Sequence, residues 1–307
     1  MRNKLLIIFG LLIAAAAITE GLLAVRTARK AVTEKIETHL IDKAADTAEI
    51  IDGRITAFFQ FLEGLTRTPQ IRDSTISFRD KTVYLTNEAK AHPILQELYI
   101  VDTEGVQHHP DGSTIEYKTD VWFTETMKGK KYTAEPYCDK TKNNQMFITF
   151  SLPVYDDNKN IVGVLGADID GLWLTDQIDD IVVGKTGYAF ILGATGNAVA
   201  HKNFDFVVNK FNGMETGKKD KTFESVAKLH ATAIYSTEPS VVLYNYKTTV
   251  SIASYAKMKS SGWTIIISAP VSEFMGTVDD LRNQLFIIGL IILISALAVT
   301  FFLLAVW

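Results

Sequence analysis

At 307 residues, with a net charge of -4 and a single cysteine, the chain lacks both the basic footprint of a nucleic-acid binder and the means to form an internal disulfide. Its apolar residues, 47% of the total, include two long uncharged or nearly uncharged runs at the ends, so the polar middle must find its stability in packed cores.

The first run, Leu5 to Val25, follows Arg2 and Lys4 and carries one acid, Glu20. Its length suits a bilayer crossing, which takes ~20 apolar residues. A cleaved signal peptide is the alternative, because Ala14-Ala15-Ala16-Ala17 offers a small-residue site; the apolar character nevertheless resumes at Gly21-Leu22-Leu23-Ala24-Val25. A basic start predicts a cytoplasmic N-terminus. The last run, Leu285 to Val306, has no charge at all and reads as a second crossing. Residues 26–284 are then expected outside the membrane, in a cell-membrane protein of two passes with lipid as a neighbour and a periplasmic or extracellular middle.

Beyond the first run the pattern continues as one long helix over 26–67. Val32, Ile36, Leu40, Ala44, Ala48, Ile51, Ile55, Phe58, Leu62 and Leu65 recur at three- and four-residue spacing, and Thr68-Pro69 stops the run. This stripe is either a seam between two subunits or the face that lies on its own domain, or each over part of its length. A second helix is expected over 74–91. Then comes an internal repetition: Tyr99-Ile100-Val101-Asp102-Thr103-Glu104-Gly105 is echoed by Phe190-Ile191-Leu192-Gly193-Ala194-Thr195-Gly196, each followed by a strand ending near histidine, His108-His109 or His201. Phe147–Val154 and Ile161–Ile169 read as a hairpin about the polar turn Asp156–Asn160. Its counterpart is Ser251–Met258 and Trp263–Ala269 about Lys259-Ser260-Ser261-Gly262. Two copies of one plan predict two stacked sheet modules, at 68–182 and 183–272.

In this order, the long helix, Glu135-Pro136-Tyr137, Ile148-Thr149-Phe150-Ser151-Leu152-Pro153-Val154-Tyr155, Gly163-Val164-Leu165-Gly166-Ala167-Asp168-Ile169, Gly187-Tyr188-Ala189-Phe190 and Gly262-Trp263 resemble the double Cache sensor domain. That domain is the extracytoplasmic input module of methyl-accepting chemotaxis receptors and some sensor kinases. The resemblance implies an α+β fold: a long N-terminal helix with two stacked PAS-like (Cache) antiparallel-sheet modules, flanked by two transmembrane helices, with the ligand pocket in the membrane-distal module and a homodimer as the assembly. It also implies a cytoplasmic output, of which the chain is expected to carry none.

Amino-acid-sensing members of that family place an arginine two residues before a tryptophan, and the resemblance gives that arginine the ligand carboxylate. Here the segment is Asp120-Val121-Trp122-Phe123. The other matching positions, Tyr99, Trp122, Tyr137, Asp139 and Asp168, are present, and a related branch with Asp for Arg is implied to sense amines. The residues point the same way by themselves. Tyr137 and Asp139, two apart on a strand edge, project to one face. Carboxylates of Asp120, Asp139 and Asp168 converging on a partly buried cleft repel one another and lose hydration unless a cation joins them. An ammonium accepts that role, with the rings of Tyr99, Trp122 and Tyr137 each adding ~0.5–2 kcal/mol where well placed.

Other assignments compete residue by residue. Asp120 also fits as N-cap of a short helix Val121–Lys128, Trp122 as core, and Asp168 as a turn cap or lysine partner. In the second module Tyr188, His201 and Trp263 read as core or turn residues. His108-His109 reads as an exposed turn, not as metal ligands, and no cofactor is expected. No nucleophile with a positioned base is recognisable, so the chain is not expected to be an enzyme. A structural anchor without a pocket is the remaining alternative. The output domain and the identity of the amine stay open: the alternatives are an amino-acid sensor or the input domain of a kinase or cyclase.

Overall fold

The computed structural model describes residues 2–139 and 144–306. Its spine is α1, Arg2–Thr66, one uninterrupted helix of 65 residues. No proline interrupts it before Pro69, which opens the short α2, Pro69–Arg72. Helix α3 runs Phe78–Ala91, four residues later in its start than the pattern predicts. The cause is local: Asp73 accepts from the Thr75 backbone N–H at 2.8 Å and hydroxyl at 2.7 Å, which turns the chain. Ser77 then caps the helix by accepting from the Asp80 N–H at 3.2 Å.

The first sheet is built from β1 Leu95–Val101, β2 Val106–His108, β3 Thr114–Glu116, β4 Tyr132–Thr133, β5 Tyr137–Asp139, β6 Gln145–Tyr155 and β7 Ile161–Asp170. Their order is β3-β2-β1-β7-β6-β4, with β5 also on β6, and every pairing is antiparallel. Helix α4, Val121–Thr126, lies between β3 and β4 in sequence, and α5, Trp173–Asp176, leads out. The second sheet uses β8 Val182–Val183, β9 Gly187–Leu192, β10 Ala198–His201, β11 Ser240–Tyr246, β12 Thr249–Lys257 and β13 Thr264–Pro270. Its order, β10-β9-β13-β12-β11 with β8 on β9, repeats the plan of the first: a hairpin, β12-β13 here and β6-β7 there, next to β9 or β1. Val182 pairs with Tyr188, so pairing assigns it to the second sheet, one residue before the boundary expected from sequence. Helices α6 Phe204–Val208, α7 Gly213–Lys219 and α8 Glu224–Tyr235 cross between β10 and β11, and α9, Ser272–Val306, closes the chain. The α+β class, the long helix and the antiparallel sheets are as the sequence predicts.

Strand alternation divides each sheet into two faces. One face of both sheets lies on α1, whose Leu40, Ala44, Ala48, Ile51, Ile55, Phe59, Leu62 and Leu65 are all buried in a core shared with Ile148, Phe150, Leu165, Ala167, Ile252, Ile265 and Ile267. From Leu40 onward, then, the stripe packs on its own domain. Phe150 of the first sheet meets Phe58 edge-on at 4.7 Å and Phe59 at 5.3 Å. The Ser254 hydroxyl of the second sheet donates to the Leu40 carbonyl at 2.6 Å, nearer the apolar start of the helix. The second sheet therefore sits beside the apolar end of α1 and the first sheet lies beyond it. Both α1 and α9 contain stretches long and apolar enough to cross a membrane. These stretches pack on each other: a Cβ on Gly289 would lie 3.9 Å from that of Ala17, and one on Gly10 would lie 3.1 Å from Leu297.

Candidate ligand site

The first sheet turns its other face away from α1, and α4 covers it. Phe123 and Trp122 of α4 pack with Tyr99, Val101 and Val164 in a small second core. The Ser151 hydroxyl of β6, 2.7 Å from that of Thr126 and 3.4 Å from the Trp122 carbonyl, ties the helix to the sheet. On this face the rings form one cluster: Tyr99 stacks on Tyr117 at 5.7 Å, and Trp122 stands at 6.0 Å from Tyr99 and 5.0 Å from Tyr117.

Asp168 lies among these rings on β7, only 1% exposed. Its Oδ1 accepts from the Thr149 hydroxyl at 2.6 Å and from the Tyr99 phenol at 3.2 Å. Tyr99 reaches it by crossing over Gly166, its partner on β7; a Cβ there would lie 2.4 Å from the ring, so the site requires glycine at this position. Tyr137 and Thr149 hold their oxygens 2.8 Å apart. Because Thr149 gives its only hydroxyl hydrogen to Asp168, the Tyr137 phenol is the donor in that pair. Both phenols thus spend their hydrogens within the protein.

Four acids act on the three phenols of Tyr99, Tyr117 and Tyr137: Asp168 on all three, with Asp139, Asp120 and Glu97 contributing to one or two each. Burial first, then the Asp168 carboxylate, push all three phenols up, so they stay protonated. Asp120 occupies the N-cap position of α4, yet its side chain makes no capping hydrogen bond. Burial raises its carboxyl above the ordinary 3.8; a hydrogen bond from the Trp122 side chain opposes this, and the nearby Asp139 reinforces it. Asp139 ends β5, half-buried, two residues from Tyr137.

All six positions singled out in the sequence, Tyr99, Asp120, Trp122, Tyr137, Asp139 and Asp168, are gathered on this one face. Sequence reasoning passed over Tyr117, Thr149, Glu97 and Gly166. Gly166 was legible as the residue two before Asp168, on the same side of its strand. In the second sheet, His201 and Tyr188, read as core or turn residues, line a small cavity with His230, while Trp263 is buried in the main core. His108, read as an exposed turn residue, is half-buried and pairs with Asp102 at 2.8 Å. Among the described residues no group of three or more His, Cys, Asp or Glu has metal-binding geometry.

A family profile for the Cache domain matches residues 24–278. Methyl-accepting chemotaxis protein McpB of Bacillus subtilis (strain 168) is 26% identical over 178 residues, which is 57% of this chain and 23% of that protein. The chain spans about a quarter of the length of the curated relatives it matches. Among solved structures, the extracellular domain of a protein named as the histidine kinase mmHK1S-Z3 superposes with a TM-score of 0.64 at 15% identity, over 80% of this chain and 98% of that one. The ligand-binding domain of Pseudomonas fluorescens chemoreceptor CtaA, solved with L-serine, gives 0.60 at 17% identity over 78% and 99%. At these identities the structural likeness speaks to fold alone.

The raised Asp120 carboxyl has a stability consequence whose sign is fixed. An acid that holds its proton more tightly in the folded chain destabilises the fold once it ionises, so the penalty is absent below the ordinary 3.8 and complete only above the raised value. Asp120→Asn should therefore melt at a higher temperature than the wild type near pH 7, relative to the difference between them near pH 3. Thermal unfolding of both proteins across that range checks this. A difference independent of pH would show that Asp120 is not under the stated burial and repulsion.

Proposed function

The chain belongs to the Cache domain family, and from that premise we propose that it is the extracytoplasmic sensing portion of a transmembrane receptor that binds a small amine on the first sheet. The observation that carries this reading is the gathering of acids and rings on one face: carboxylates at Asp120, Asp139 and Asp168 beside the rings of Tyr99, Tyr117, Trp122 and Tyr137, with the phenol hydrogens of Tyr99 and Tyr137 going to Asp168 and Thr149. A ligand ammonium supplies donors to such groups and gains from the faces of Tyr99, Tyr117 and Trp122. A ligand carboxylate meets Asp120, and like-charge juxtaposition of that kind costs several kcal/mol. The solved relative CtaA carries L-serine, so an amino-acid ligand is the second reading; it shares the ammonium and differs at the carboxylate.

Signalling follows from the continuity of α1. One helix carries the core of both sheets and then the apolar segment that packs on α9, so a change in how the first sheet sits on α1 is transmitted along a rigid element. Shifts of ~1–2 Å at packed helices suffice for such switching. The amine must bind one arrangement better than the other, because equal affinity moves no equilibrium. A chemoreceptor or a kinase output both fit this scheme, and two such chains side by side are the expected assembly.

Calorimetry on the whole chain in lipid nanodiscs should find that an amine binds more tightly than the amino acid from which decarboxylation would derive it. Asp120→Ala should weaken that amine by about 1.5–3 kcal/mol, the range for a hydrogen bond to a charged group. Tighter binding of the amino acid throughout the panel would sink the amine reading. For signalling, cysteines at Ala17 and Gly289, with Cys138 replaced by serine, should form a disulfide whose rate changes when the amine is added; their Cβ separation of 3.9 Å already suits the bond. A rate indifferent to saturating amine would contradict the displacement.

A further inference from the structure

The second sheet also has a face turned away from α1, and α6, α7 and α8 lie over it as α4 lies over the first. Between sheet and helices is a cavity of about 50 Å³, lined among others by four phenylalanines, three tyrosines and two histidines. Close-packed interiors hold few voids larger than a water molecule, and an apolar void has no use for imidazoles. Here two are buried: His201 is 7% exposed and His230 is 3% exposed.

Their chemistry is defined by their neighbours. The backbone N–H of Asn203 donates to Nδ1 of His201 at 2.9 Å, so in the neutral ring the proton sits on Nε2. That N–H finds no acceptor among the described residues, and His201 packs instead against the rings of Tyr188, Phe190 and Phe206 at 5.3, 5.6 and 4.7 Å. His230 keeps its Nδ1 buried without a hydrogen-bond partner, against Gly213. Burial holds both imidazoles down at about 4, so near neutral pH neither is a cation. Among the described residues the lining contains no carboxylate and no lysine or arginine; the ammonium of Lys202 stands outside it, 3.7 Å over the Tyr188 ring.

We propose that this cavity is a second ligand site, for a small uncharged molecule bearing one hydrogen-bond-accepting oxygen, such as a short-chain ketone, aldehyde or alcohol. Size sets the upper limit: about 50 Å³ has room for roughly three to five water-sized groups. The rings take the carbon portion, and Nε2–H of His201 donates to the oxygen. An ion would lose its hydration with no opposite charge to meet, which excludes carboxylates and amines. The site is independent of the amine reading of the first sheet, with which it shares no residue. Its position on the equivalent face of the repeated plan means that the two modules accept ligands of different charge at corresponding places.

The test uses the whole chain in nanodiscs, labelled with nitrogen-15 at histidine, and acetone as the probe with 1-propanol as a second. Both should shift the imidazole resonances of His201 and His230 along a saturating curve, while His39, His92, His108 and His109 serve as internal controls and stay still. Ala198→Leu, which fills the cavity from β10, should abolish the saturable shift at His230. His201→Phe keeps the ring and removes the N–H, and should weaken acetone about tenfold, as expected for one lost hydrogen bond. Linear shifts without saturation, equal shifts at all six histidines, or acetone binding unaffected by His201→Phe would overturn the proposal. The wild-type titration decides the matter even if Ala198→Leu does not fold.

Discussion

Both sheets must cover the same helix, and that constraint arranges everything else. A strand exposes alternate side chains to opposite faces, so once Ile148, Phe150, Leu165 and Ala167 are committed to α1, their neighbours Thr149, Ser151, Gly166 and Asp168 have to face the other way. The same holds in the second sheet, where Ile265 and Ile267 face α1 and Ile266 joins the opposite cluster with Phe190 and Tyr244. Each module is thus obliged to do something with a face that α1 cannot bury. The first covers it with one short helix and sets acids among aromatic rings. The second covers it with three helices and leaves a ring-lined cavity.

The acid at the centre of the first face explains the groups around it. A carboxylate that is 1% exposed needs donors, and Thr149 and Tyr99 give two. Supplying them uses up the hydroxyl hydrogens, and Tyr137 follows because Thr149 in turn needs one. The result is a chain in which the hydroxyl hydrogens of Tyr137, Thr149 and Tyr99 are all committed within the protein. Asp120, at a cap position it does not use for capping, adds a further acid where burial already disfavours its charge. A site assembled this way depends on the whole hydrogen-bond chain around Asp168, to which Asp120 adds its charge.

Much of this was legible in the sequence because it rests on periodicity. The helix stripe from Leu40 to Leu65, the paired hairpins and the repeated strand-turn-strand plan follow from three-, four- and two-residue spacing alone. Tyr137 and Asp139 were placed on one face by the same rule. Register was harder. Counting back from the turn at Asp156–Asn160 sets Asp168 opposite Ile148, on the face of the core; a bulge between Val154 and Tyr155 shifts the pairing so that Asp168 meets Thr149 instead. That one-residue slip conceals Thr149 from any sequence argument. Tyr117 was equally hidden, since it arrives from the irregular segment after β3. His201 looked like core because a buried histidine usually is, and only the backbone N–H of Asn203 reveals which ring nitrogen keeps its proton.

The proposed preference for an amine turns on the charge of Asp120, at the start of α4 over the first sheet. Replacing the acid there by the opposite charge, in Asp120→Arg, and measuring the Kd of an amine and of its parent amino acid for both proteins puts that claim to the most direct trial. The account predicts that the wild type prefers the amine and that the variant reverses the order, since the arginine repels the ammonium and offers the carboxylate a bidentate partner. A preference that keeps the same order in both proteins would contradict it.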